Sequence, residues 1–220
     1  MTAETWPNLV TMFFDQAAEK RDAPFLWAKI DGTYQDFSWS QAASTVEALA
    51  NGLKAAGVKS GDRVVLVSEN RPEWLIADMA IMAAGGISVP AYTTNTTADH
   101  VHILSDSGAV GVIVSNDRLA KSLIPAAEQV EDAKFIIGID ALSDTGTGTL
   151  QSHTWAAMTD SDDKAATIKD EAQSLKRTDT ACIIYTSGTG GAPKGVLLSH
   201  GAILHNCAGS ADAIEPLGLD

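Results

Sequence analysis

Apolar positions recur at helical spacing over residues 8–20, which predicts an amphipathic first helix. In "FLWAKIDGTYQDFSW" two β-rich runs flank Asp31-Gly32, a dipeptide suited to a tight two-residue turn, so a hairpin is expected there. "SWSQAASTVEALANGLKAAG" opens with Ser38 and Gln41 in capping-box spacing. It continues with helical periodicity and stops at Gly57.

The pattern then alternates. Continuous Val/Ile-rich runs predict strands near 63–68, 87–90, 110–115, 134–138 and 181–185. Helical patterns separate the first four, and the first of these helices carries Pro72 and Glu73 in its opening turn. Strands without a polar face must be covered on both sides. The expectation is a three-layer α/β fold with a mainly parallel sheet flanked by helices. Residues 140–180 are rich in Ser, Thr, Gly and Asp and read as a surface excursion; there is no internal repeat.

Composition adds limits. The 220 residues suffice for one large domain or two small ones. A net charge of -13 would repel a phosphodiester backbone, so nucleic acid is not an expected partner. Any anion must be met by a local feature. Cys182 and Cys207 have neither a disulfide-framework nor a metal-site spacing and are expected to pack as small apolar residues. "MTAETWPNLVTMFFDQ" has no basic region ahead of its apolar residues, and no run is long enough to span a bilayer. A cytoplasmic location is expected, with peripheral membrane contact left open.

That local feature is "YTSGTGGAPKGV", residues 185–196. Its glycines let the backbone approach a ligand with several N–H groups aimed one way. Thr186, Ser187 and Thr189 add hydroxyls, and Lys194 is its one cation. A plain turn between strands needs fewer residues and no lysine. A P-loop would need G-x-x-x-x-G-K-[ST] running into a helix; here Gly195 follows Lys194 and an apolar strand-like run comes next. The nucleophile elbow G-x-S-x-G is absent around Ser187.

This stretch resembles the phosphate-loop motif of the adenylate-forming enzymes: the acyl-CoA synthetases, luciferases and peptide-synthetase adenylation domains. The usual pattern has threonine where this chain has Gly190, which loses a hydroxyl and keeps a backbone N–H. The run from "SWSQAAS" to "AVGVIVS" also looks like the N-terminal half of these enzymes. "SENRPEW" and "VPAYTTNTTADHVHILSDSGA" are most similar to the long-chain fatty acid–CoA ligases.

The resemblance implies a fold, a reaction and a site. The chain would be residues 1–220 of a partial N-terminal AMP-binding domain. ATP and a fatty acid would give acyl-adenylate and pyrophosphate; coenzyme A would then give acyl-CoA and AMP. Thr186, Ser187, Gly188, Thr189, Gly190, Gly191 and Lys194 would contact the ATP phosphates, and Thr186 would help hold Mg2+. The family's adenine, ribose and C-terminal lysine contributions lie downstream, so no catalytic residue is assigned here. The segment alone is expected to be inactive and to self-associate through an uncovered face. The alternatives are a stand-alone nucleotide- or anion-binding module, or an enzyme activating another acyl or aryl acid. His100 and His102, two apart on a helix, face different sides, so a metal site is not expected. His200 reads as a capping or packing residue, and Trp74 and Met79 as core.

Overall fold

The computed structural model describes residues 5–160, 168–187 and 191–214, with the side chains of 211–214 excepted. Helix α1 (Leu9–Lys20) is capped by Asn8 and leads into a hairpin of β1 (Pro24–Ile30) and β2 (Thr33–Ser38). Asp31 and Gly32 both take positive φ, 49° and 82°, as a two-residue turn between right-twisted strands requires. Ser38 and Gln41 then form the expected capping box on α2 (Trp39–Ala55).

The alternating series follows as β3 (Arg63–Val67), α3 (Pro72–Ala83), β4 (Ile87–Pro90), α4 (Thr97–Ser107), β5 (Ala109–Val114), α5 (Asp117–Ala127) and β6 (Phe135–Gly138). After it come β7 (Gln151–Thr154), α6 (Trp155–Thr159), α7 (Ile168–Ala172), β8 (Thr180–Thr186), β9 (Lys194–Ser199) and α8 (His200–Ile214). Among the described residues seven strands form one sheet in the order β7-β6-β5-β3-β4-β8-β9, parallel except for β9. No helix among them is long and apolar enough to cross a membrane.

Alternation along each strand builds two cores. Val64 and Leu66 face α1, α2 and α3, and Val65 and Val67 face α4 and α5. Both faces of β3 are buried, which is why its sequence lacks a polar alternate. Gly111 lies under the Phe135 ring of the neighbouring strand, with no room there for a Cβ.

Residues 140–180 depart from the surface excursion expected of them. Gln151–Thr154 pairs with β6 as an edge strand of the sheet. Met158, Ile168 and Ala172 are buried in the core beside α2. The polar β7 sits at the sheet edge, where pairing with β6 supplies what apolar alternation supplies elsewhere.

Candidate functional site

Strand order reverses at β3: β4 lies on one side and β5, next in sequence, on the other. In open parallel sheets ligands enter at the carboxyl ends of the strands near such a reversal. Here side-chain bonds tie the end of β3 to the start of α5. Glu69, just past β3, accepts from Ser115 Oγ at 2.5 Å and from Asn116 Nδ2 at 3.2 Å, and pairs with Arg118. Burial works against the charged carboxyl, but the Ser115 hydroxyl, the Glu69 backbone, Asn116 and Arg118 outweigh it and hold Glu69 at about 2.

The open space lies across β3, β4 and β8, with Glu69 on its wall. A cleft of about 500 Å³ is lined there by Ser68, Asn70, Trp74, Tyr92, Thr93 and Tyr185 among others, within the usual size of small-molecule sites. Arg71, between Asn70 and Trp74 in the chain, is tied up in ion pairs. The guanidinium bonds Glu73 at 2.8 and 3.2 Å and Asp140 at 3.0 Å; the Glu73 bond, opposed by burial, raises its pKa. Trp74, expected in the core, packs against it half-buried and also forms cleft wall.

The glycine-rich loop joins β8 to β9, so the strand–loop–strand reading of that stretch holds. Thr186 and Lys194 face each other as the last ladder pair, and Thr186, Ser187, Gly191 and Lys194 are exposed at the hairpin end. Gly191 has φ 102°, a conformation that favours glycine. Gly188, Thr189 and Gly190 lie outside the described residues. Gly195 has a packing reason: a Cβ there would come within 2.8 Å of Ile183 and 3.2 Å of the Tyr185 ring. Tyr185 therefore leans across β9, and its hydroxyl donates to Asp106 Oδ2 at 2.7 Å. Burial, followed by the Asp106 carboxylate, holds the phenol above its ordinary pKa, so Tyr185 stays protonated.

Sequence reasoning missed His102. Its neighbour two positions back, His100, is buried. His102 Nε2 instead lies 2.8 Å from the carbonyl of Pro193, at the far root of the loop. The available signal was the i, i+4 spacing of His102 and Asp106, which puts both on one face of α4. His200 is buried, and its Nδ1 accepts from the Leu9 N–H at 3.4 Å, a packing role. Cys182 is buried as expected; burial and the nearby Asp78 push its thiol up to about 11. Cys207 is a correction, being exposed on α8. Among the described residues no group of three His, Cys, Asp or Glu side chains could hold a metal ion.

The arrangement has counterparts. Long-chain-fatty-acid–CoA ligase FadD15 of Mycobacterium tuberculosis is 33% identical over 204 residues, covering 92% of this chain and 33% of that protein. Peroxisomal long chain acyl-CoA synthetase 6 of Arabidopsis thaliana is 29% identical over 97% of this chain and 32% of its own length. The chain thus spans about a third of these relatives. Among solved structures, acetoacetyl-CoA synthetase from Streptomyces lividans superposes with a TM-score of 0.80 at 20% identity, over 93% of this chain and 32% of that one. A fatty acyl-adenylate ligase from L. pneumophila, in complex with acyl adenylate and pyrophosphate, gives 0.71 at 22% identity over 97% and 34%. These likenesses show a shared fold. The sequence model of the AMP-binding enzymes matches residues 13–218, nearly the whole chain, and the chain belongs to that family.

Proposed function

We propose that this chain is the phosphate-binding N-terminal part of an ATP-dependent long-chain fatty acid–CoA ligase. The observation that carries the reading is the exposed glycine-rich hairpin end, with Lys194 opposite Thr186, beside a cleft at the carboxyl ends of parallel strands. The relatives named for fatty acid–CoA ligation support the substrate class.

In this reading Thr186, Ser187, Gly188, Thr189, Gly190, Gly191 and Lys194 hold the ATP phosphates. A carboxylate and a triphosphate repel each other, so donors fixed around the phosphates lower the barrier to their reaction. The acid's carboxylate oxygen bonds to the α-phosphorus as pyrophosphate leaves; the thiol of coenzyme A then displaces AMP from the acyl carbon. Mg2+ fits the donor set in one limited way. Thr186 offers a single neutral oxygen, so the ion would take its other ligands from phosphate, water or residues elsewhere. Bound there, it would neutralise phosphate charge.

Lys194→Ala tests the reading. In the full-length protein it should raise the KM for ATP at least ~10-fold and leave that for the fatty acid within about 2-fold, since one point charge on the phosphates is lost. An unchanged ATP dependence, or loss of folding instead, would make the loop structural. The 220-residue chain by itself should show no fatty-acid-dependent pyrophosphate exchange, because the adenine and ribose contacts that the resemblance assigns downstream would be missing.

A further inference from the structure

The hairpin bearing the glycine-rich loop closes one side of the sheet, with β9 at its edge. Among the described residues β4 and β8 share one registered pair, Ser88 with Cys182, whereas β3 matches five positions of β5. β4 ends at Pro90, so the tip of β8 beyond this pair takes its direction from other contacts. Two come from α4. Asp106 accepts from the Tyr185 hydroxyl at the near root of the loop, and His102 meets the Pro193 carbonyl at the far root. A carbonyl can only accept, so His102 Nε2 carries the proton. The two side chains stand one turn apart on a single helix face, and the His102 ring also packs edge-on against Tyr185, with centroids 6.0 Å apart.

We infer that His102 and Asp106 form a two-point clamp through which α4 sets the positions of the two strand ends that carry the glycine-rich loop. Both are positioning residues; the clamp makes affinity for a nucleoside triphosphate depend on side chains that touch none of its phosphates. This inference rests on the phosphate-binding reading above. A stabilising contact of no further consequence would lower thermal stability alone. A clamp changes the loop and the handling of ATP while the rest of the sheet stays closed.

The test uses four variants of the full-length protein. His102→Ala and Tyr185→Phe each break one point. His102→Gln keeps a donor at the distal nitrogen, and Asp106→Asn keeps an acceptor oxygen for Tyr185. The first readout needs no nucleotide: amide exchange at Thr186 and Lys194, the last ladder pair, against exchange in β5. Breaking either point should speed the hairpin amides ~10-fold and leave β5 unchanged, and the conservative variants should lie near wild type. The second readout is the KM for ATP, expected to rise ~5–10-fold with the acid's KM unmoved, the effect of one hydrogen bond. Unchanged exchange at the hairpin in both broken variants overturns the clamp. So does faster exchange with an unmoved ATP KM when Lys194→Ala does weaken ATP use, which leaves the phosphate reading standing. If Lys194→Ala is also without effect on ATP, the phosphate reading fails and the clamp's link to affinity falls with it. Should His102→Ala not fold, Tyr185→Phe, which removes one oxygen, decides by the same criteria.

Discussion

Replacing Glu69 with glutamine should loosen the junction of β3 and β5 by an amount the structure lets us work out. The carboxylate receives the Ser115 hydroxyl, the Asn116 amide and the Arg118 guanidinium. Its pKa falls from 4.5 to about 2. At ~1.4 kcal/mol per pH unit this corresponds to about 3 kcal/mol as a ceiling. The Glu69 side chain is 40% exposed and Arg118 65%, so solvent screening reduces the figure to roughly 1–2 kcal/mol. Glutamine keeps one accepting oxygen and turns an NH2 group toward other donors, so most of that should be lost. For a chain of this size it means a melting point about 2–8 °C lower near pH 7. The folded pKa lies below the unfolded one, so the contribution is present above about pH 4.5 and is lost as pH falls through about 2. Thermal melts of wild type and Glu69→Gln across that range give the measurement. A gap below about 1 °C near pH 7, or one of the same size near pH 3, would refute the reasoning.

Two other substitutions probe how the site is supported. Gly111→Ala would push a methyl group into the Phe135 ring and should destabilise by about 2–4 kcal/mol, read as the shift in a urea midpoint; an unmoved midpoint would mean the strands can part. Asn8→Ala removes the α1 cap and two donations, to Ala172 at 2.8 Å and Leu175 at 3.0 Å, and should lose a similar ~2–4 kcal/mol; Asn8→Asp, which keeps the cap but sets a carboxylate against two carbonyls, should not restore it.

The buried strands and capped helices were legible because each carries its own local signal. β3 and β6 lack polar alternates, and Ser38 and Gln41 stand at fixed spacing. The glycine-rich loop was legible for the same reason: glycines, hydroxyls and a lysine crowd into twelve residues. What escaped depends on neighbours distant in sequence. "QSHT" has no strand pattern of its own and becomes β7 beside β6. His102 and Asp106 declare a shared helix face, yet their partners Pro193 and Tyr185 lie some eighty to ninety residues away. Nor does the chain announce the bonds of Glu69 where strand order reverses, since its three partners come from the turn after β5 and the first turn of α5, more than forty residues on.

The long sequence separation between β4 and β8 also bears on how the molecule assembles. Pairing β3 with β4 closes a loop of about two dozen residues; pairing β4 with β8 closes one of over ninety, an added entropy of about 1.2 kcal/mol before any contact repays it. The β8–β9 hairpin needs no such closure, because its strands are joined by a short loop. Five strands can therefore gather first around β3, and the preformed hairpin can dock last. An edge element that docks last is also a natural first to leave when the native state opens, so the hairpin end of the sheet should be its most readily released part.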